Sequence, residues 1–242
     1  MIKTNKRLLS VGLAVLMLLA AVMFVIPTAG VKAAWDGSVA ANFAGGSGTE
    51  ANPYLISNAK ELAFLAEKVN LGNDTASTYY KLTADIDVSG GSEWTAIGTH
   101  LHRFKGTFDG GGHTVSGINI NKPDKEFQGL FGYSEGIIKN VGVENSSIIG
   151  EVQVGGICGS NEGTIEGCYN TGYIEATSDG AGGICGYNNN ANAKIKNCYN
   201  TGTLDGDFSG GICGANMNGS ISECYNAVMC YNKVVTPPPK VL

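Results

Sequence analysis

Charge, histidine and proline are scarce in this 242-residue chain: charged residues make up 15%, and there are 3 His and 6 Pro. So low a charge content speaks against a solvated disordered polyelectrolyte. Acids outnumber bases 21 to 16, a formal net charge of −5, which disfavours a nucleic-acid binder. No H-E-x-x-H, G-x-x-x-x-G-K-[ST] or C-x-x-C occurs. Those absences leave zinc-peptidase, phosphate-loop and close-spaced zinc-ligand chemistry without support. Glycine is plentiful, at 36 residues, yet it follows no G-X-Y period, so collagen is excluded.

Lys3, Lys6 and Arg7 precede an apolar run from Leu8 to Ile26, after which Pro27 and Gly30 lead to Val31-Lys32-Ala33. That order (positive, apolar, small) reads as a secretory signal peptide over residues 1–33. The run approaches the ~20 residues of a membrane span, so an uncleaved anchor is the alternative. Either way the chain is exported. Loss of residues 1–33 removes four bases and leaves 12 against 21 acids, a mature charge of −9. At the other end, residues 233–242 carry Pro237, Pro238 and Pro239 and read as a proline-rich tail with no apolar anchor.

Residues 34–75 form the expected N-terminal cap. Leu62, Leu65 and Val69 recur at helical spacing with Ala59 and Ala66 on the same side. Ser57 is placed to cap this helix, Glu61 lies in its first turn, and Gly72 follows its end. From residue 76 to 127 the pattern changes to leading β-coils. Strands are expected at Tyr79–Thr83, Ile86–Val88, Trp94–Gly98, Phe104–Phe108 and Thr114–Ile120, with a tight turn at Asp109–His113.

Self-similarity dominates residues 128–232. Gly155-Gly156-Ile157-Cys158-Gly159 returns at Gly182–Gly186 and Gly210–Gly214, offsets of 27 and 28 residues, and Gln128–Gly132 fits the same frame upstream. A second block, Ile165–Gly172, returns at Ile195–Gly202 and Ile221–Asn226, with Ile138–Val143 as its degenerate first copy. Units this short cannot bury their apolar residues alone, so stacked copies must share one core. Glycine is expected at the corners. The leucine frame of a leucine-rich repeat is missing, and a propeller blade needs ~40 residues. A β-solenoid fits.

The blocks "GGICGSNEGTIEGCYNTGYI" and "GGICGYNNNANAKIKNCYNTGTL" strongly resemble the GLUG motif of bacterial surface proteins. Upstream, "GSGTEANPYLISNAKELAFLAEKVN", "YYKLTADIDVSG" and "GTFDGGGHTVSGINI" look like the leader that often precedes such repeats. The resemblance covers most of residues 46–232. It implies an exported parallel β-helix-like region of the kind found in large adhesin-like proteins and in zinc peptidases that cleave immunoglobulin A. It implies no activity by itself.

Six cysteines fall in frame as Cys158/Cys168, Cys185/Cys198 and Cys213/Cys224, and Cys230 is left over. In an exported chain disulfides are one reading. The other is a pair of buried thiol ladders, because Phe131 and Val141 hold the same frame positions in the degenerate unit. Metal binding is the weakest reading of these spacings. Cys230, outside the frame, is the candidate reactive or intermolecular thiol. Tyr169, Tyr199 and Tyr225 point to an outward row, either a stacking ladder or a surface for sugars and peptides. Asn170, Asn200 and Asn226 read as an amide ladder.

Catalytic candidates are few. His100 and His102 alternate on a short stretch, and His113 belongs to a glycine turn. Asp85, Asp87 and Asp109 are the carboxylates that glycoside hydrolysis or calcium would call on, with Arg103 or Lys105 as a neighbouring base. Asp is equally favoured in turns for its own backbone hydrogen bonds. No catalytic, cofactor or metal residue is assigned, and no cofactor is expected. The sequence thus predicts an all-β chain: a right-handed parallel β-helix or β-solenoid with an N-terminal capping helix. It would serve, secreted or at the bacterial cell surface, as a non-enzymatic adhesion platform or structural spacer. The alternatives are a carbohydrate-binding or polysaccharide-degrading β-helix, or a fragment of a larger surface adhesin or peptidase. Expected partners are host or cell-wall glycans or proteins, with self-association through solenoid ends and no role for nucleic acid or for membrane beyond the N-terminal segment.

Overall fold

In the computed structural model, each recurrence of the repeat adds one strand to each of four parallel sheets. Residues 34–231 are described, except Thr75, Gly91 and Met229, so the expected signal segment and proline-rich tail lie outside the described residues. The seven-stranded sheet stacks Tyr54–Ile56, Tyr79–Leu82, Thr107–Asp109, Ile137–Lys139, Thr164–Glu166, Lys194–Lys196 and Ser220–Ser222. Six strands, from Ile86–Asp87 to Tyr225–Asn226, form the second sheet. Five, from Asn119–Asn121 to Cys230–Tyr231, form the third, and four, from Phe131–Ser134 to Cys213–Asn216, form the fourth. The chain visits the sheets in that order and returns to the first one coil further along, giving a parallel β-solenoid.

Register follows the repeat. Cys158 pairs with Phe131 and Cys185, and Cys185 with Cys213. Inward positions form continuous columns because successive strand residues face opposite sides. In the seven-stranded sheet the inward column is Tyr80, Phe108, Ile138, Ile165, Ile195 and Ile221, all but Ile221 buried. Each buried isoleucine contributes roughly 1.5–3 kcal/mol of hydrophobic stabilisation.

The helix spans Ala59–Asn70 and buries Leu62, Ala63, Leu65, Ala66 and Val69. Its cap is shifted one residue from expectation. Asn58, not Ser57, is the N-cap: its Oδ1 accepts from the Glu61 N–H at 3.2 Å. Glu61 reaches back and its Oε2 accepts from the Ser57 N–H at 2.7 Å and hydroxyl at 3.0 Å. The buried Glu61 carboxylate thereby uses Ser57 as a donor, which leaves the adjacent asparagine to satisfy the helix. At the far end Gly72, at φ +81°, donates to Val69 O, and Asn73 donates to Lys68 O, closing the last turn in a Schellman motif.

Three expected strands differ. Trp94–Gly98 is not a strand; only Ile97 makes a bridge, to Phe131, while the Trp94 indole turns into the core and donates to Leu130 O at 3.2 Å. Phe104 also makes a single bridge, so its strand begins at Thr107. Thr114–Ile120 divides at Gly117 into Thr114–Ser116 and Asn119–Asn121, because φ +76° turns the chain into the next sheet.

The second motif glycine sits at the bend between the five- and four-stranded sheets, but without left-handed backbone. The second glycine of each G-G-I-C-G block lies against the asparagine ladder of the second block: a Cβ on Gly156, Gly183 or Gly211 would meet Asn170, Asn200 or Asn226 Cγ at 2.6, 2.3 and 2.3 Å. Close approach across a thin interior, rather than left-handed backbone, demands glycine there. Left-handed backbone turns a different corner, between the seven- and six-stranded sheets, at Asn140, Gly167, Asn197 and Glu223, with φ 54°, 62°, 52° and 53°. Asparagine and glycine tolerate that region; glutamate tolerates it less well.

Candidate functional site

Four kinds of side-chain ladder run along the repeats, and they determine what the solenoid presents. The expected amide ladder is formed: Asn170 Nδ2 donates to Asn200 Oδ1 at 2.9 Å, and Asn200 Nδ2 to Asn226 Oδ1 at 2.9 Å. Each amide also closes its own turn, since Asn170 Oδ1 accepts from Gly172 N–H and Asn200 Oδ1 from Gly202 N–H, both at 3.1 Å. Asn170 and Asn200 are fully buried, so this satisfaction is what makes an amide column tolerable inside. A second amide ladder escaped the sequence reading. Asn161 donates to Asn188 Oδ1 at 2.8 Å, and Asn188 to Asn216 Oδ1 at 2.9 Å. Its signal was present, an asparagine three residues after each motif cysteine.

The two cysteine columns consist of free thiols. Cys158, Cys168, Cys185 and Cys198 are buried, and Cys213 and Cys224 are half-buried. Each thiol donates to a main-chain carbonyl two residues away, as Cys158 does to Ser160 O at 3.1 Å and Cys198 to Lys196 O at 3.1 Å. Burial pushes the Cys185 thiol well up, and the Cys213 thiol is raised by its hydrogen bond with Cys185 and by burial. A protonated, buried thiol is a poor nucleophile and a poor metal ligand. Cys230 lies outside both cysteine columns, as expected, but inside the solenoid: the strand Cys230–Tyr231 pairs with Leu204–Asp205, and Cys230 takes the register of Leu204, Ile174, Ile148 and Ile120.

Tyr169, Tyr199 and Tyr225 form the outward row. Their rings stack at 4.8 and 5.2 Å, tilted by 3° and 7°. Tyr169 lies over Gly142, where a Cβ would come within 2.2 Å of the ring, and its hydroxyl donates to Glu144 Oε1 at 2.6 Å. Burial, and then that carboxylate, push the Tyr169 hydroxyl pKa up. The ring faces are spent on each other; only edges and the outer face of Tyr225, which is 58% exposed, remain for a ligand.

A fourth kind, also unforeseen, is made of alternating charge. Lys81, Asp109, Lys139, Glu166 and Lys196 occupy one in-register outward column. Lys139 Nζ lies 3.3 Å from Asp109 Oδ2, and Lys196 Nζ lies 2.8 Å from Glu166 Oε1.

The catalytic candidates do not converge. Asp85 Oδ1 meets His113 Nδ1 and the Thr114 N–H, each at 3.1 Å, and Asp87 accepts from the Ser89 N–H at 2.8 Å. Asp109 accepts from the Gly111 N–H at 2.9 Å and the Asn140 amide at 3.0 Å. Burial raises its pKa, but those two donors and Lys139 outweigh that and hold the carboxyl below the usual range. His100 packs against Phe127 and Tyr133, while His102 Nδ1 lies 2.7 Å from Asn70 O. Arg103 is held by Glu135 at 2.7 Å and Glu162 at 3.0 Å, with Tyr133 beneath its guanidinium, and the Lys105 N–H donates to Asp74. Among the described residues, no cluster of three or more His, Cys, Asp or Glu could hold a metal ion. No helix among them is long and apolar enough to cross a membrane.

Fold and ladders together define a parallel β-solenoid repeat protein. Residues 150–175 and 177–205 match the family model of the GLUG motif. A protein of Evansella cellulosilytica, provisionally described as a Gly-rich membrane protein, is 36% identical over 135 residues. The match takes in 51% of this chain and 15% of that relative. Halomucin of Haloquadratum walsbyi is 31% identical over 156 residues, which cover 60% of this chain and 2% of halomucin. The chain therefore spans a small part of either relative. A crystal structure from Bacteroides ovatus, provisionally described as an immunoglobulin A1 protease, superposes with a TM-score of 0.56 at 23% identity. It covers 79% of this chain and 80% of its own, and the likeness is one of fold.

Proposed function

We propose that the protein is an exported, non-enzymatic repeat module that acts at the cell surface as a stiff spacer or adhesion platform. One observation carries this reading: the residues that repeat are the residues that join coil to coil. Isoleucine, cysteine, asparagine and tyrosine columns are engaged by the next copy, and the carboxylates that could have served catalysis close turns and pair with lysines. The relatives named as a membrane protein and as halomucin support a surface location. Host or cell-wall glycans or proteins are the expected partners. The last described coil, with Ile221 at 39% and Tyr225 at 58% exposure, supplies an edge for self-association.

Carbohydrate binding is the second reading, favoured by the uncovered ring face of Tyr225. A glycan array run beside a polysaccharide-turnover assay on the purified protein tests both. Absence of turnover is the expected result. Turnover of any glycan would overturn the non-enzymatic reading, while binding lost in Tyr225→Ala would assign the platform to the tyrosine row.

A further inference from the structure

A cleft of about 570 Å³ opens between the segment that starts at Trp35, the helix Ala59–Asn70 and the segment Ser92–Thr95. Its floor is apolar and rigid: Trp35, Ala63, Ala66 and Trp94 line it and are each no more than 7% exposed. Both indoles already have partners, Trp35 Nε1 donating to Ser38 O at 2.9 Å and Trp94 Nε1 to Leu130 O at 3.2 Å. The floor therefore offers hydrocarbon and ring edge rather than polar groups. Val39 and Leu71 stand at the lip, 44% and 66% exposed, two of the few large apolar side chains left in water.

Every charged residue that lines the cleft is acidic: Asp36, Glu67 and Glu93. Asp36 shares a 3.7 Å ion pair with Lys60, and Glu93 Oε1 is fixed by the Asn121 N–H at 2.9 Å. The Glu67 carboxylate has no hydrogen-bond or ion-pair partner among the described residues. The helix residues that line the wall run from Ala63 to Leu71, its C-terminal half, where the helix dipole also favours a cation. An apolar floor, an all-acidic rim and a helix C-terminus select one chemistry. An anion would meet three carboxylates, and a neutral apolar ligand would leave the rim unused.

We propose that this cleft binds an organic cation, a primary ammonium carried on an apolar or aromatic body. The inference does not rest on the surface-module reading, since ligand capture here is compatible with any role for the coils. Its test uses a reporter already in place. The chain has 2 Trp, and both line the cleft, so tryptophan emission reads this site alone.

Phenethylammonium chloride, titrated into the full protein, should change the emission saturably with a Kd of about 1 mM, the range open to so small a ligand. The neutral isostere 2-phenylethanol should bind about five-fold more weakly, and phenylacetate more weakly still, since exposed carboxylates each contribute a few-fold. In the double variant Glu67→Gln/Glu93→Gln, with an unchanged melting temperature as the folding control, ammonium and alcohol should bind alike. An acetylated Phe-Lys dipeptide amide separates the sources: binding as tight as the free amine identifies a lysine side chain of a polypeptide as a ligand, and weaker binding identifies a free amine. Three results would overturn the proposal: no saturable change up to about 10 mM, equal binding of the alcohol to the native protein, or an undiminished preference for the cation in the double variant.

Discussion

Between Tyr80 and Phe131 the solenoid is filled by aromatic rings of unequal shape; between Cys158 and Asn226 it is filled by a few residue types repeated. In the leading coils Phe104 and Phe108 meet Phe131 at 5.0 and 5.2 Å, and Tyr80 meets Phe104 at 6.0 Å. In the later coils the same columns carry cysteine and asparagine: Phe131 gives way to Cys158, Cys185 and Cys213, and Val143 to Asn170 and Asn200. Unequal shapes fix register by fit, as in any well-packed core. Identical columns stack well but distinguish one coil from the next poorly. Leaving one coil out of the stack would preserve most isoleucine, thiol, ring and amide contacts, yet it would set Lys196 on Lys139. The alternating charge column thus supplies a register signal that the repeated interior lacks.

The sharpest way to break this comparison is to cut the same column in each half. Phe131→Ala should cost about 3–5 kcal/mol, because the ring leaves a cavity among Phe104 and Phe108. Cys185→Ala, two coils on, should cost about 1 kcal/mol, close to the transfer of one small group. Denaturant melts of both check this, and equal losses would mean that the two halves are packed alike. Next in size, Asn200→Ala should cost about 2–3 kcal/mol by leaving the Asn170 amide, Asn226 Oδ1 and the Gly202 N–H short of a partner.

Gly183→Ala should cost about 1–3 kcal/mol through overpacking against Asn200, and pairing it with Asn200→Ala should relieve part of that loss in a double-mutant cycle. The smallest effect belongs to the charge column. Lys139→Glu should cost at most about 1 kcal/mol, shrinking as salt is added. Asp109 gives this column a pH dependence. Its folded-state pKa lies below the ordinary value, so its contribution is complete above that value and fades as pH falls through the lowered one. Wild type and Asp109→Asn should therefore differ at neutral pH and converge in acid.

The architecture was legible because a period of 27 or 28 residues imposes stacking whatever the local propensities. The thiol and amide columns followed from reading equivalent positions across copies, including the degenerate unit with Phe131 and Val141. Features that depend on two positions in different blocks were not legible. The contact of Gly183 with Asn200 spans the interior, and nothing local separates such a glycine from one that turns the chain with left-handed backbone. The Asn58 cap was missed because Ser57 also suits the role; the choice was made by the buried Glu61 carboxylate. The charge column was missed because its members alternate in sign and so do not repeat. The cleft beside Trp35 and Trp94 brings together three segments and has no linear signature.

Cysteine alkylation followed by mass spectrometry, with no reductant at any step, tests the ladders most directly. If the columns are buried protonated thiols, iodoacetamide should leave Cys158, Cys168, Cys185 and Cys198 unmodified in the native protein and should modify all six ladder cysteines once guanidinium unfolds it. Ladder cysteines that resist alkylation in guanidinium until a reductant is added would contradict the thiol columns and replace them with disulfide staples.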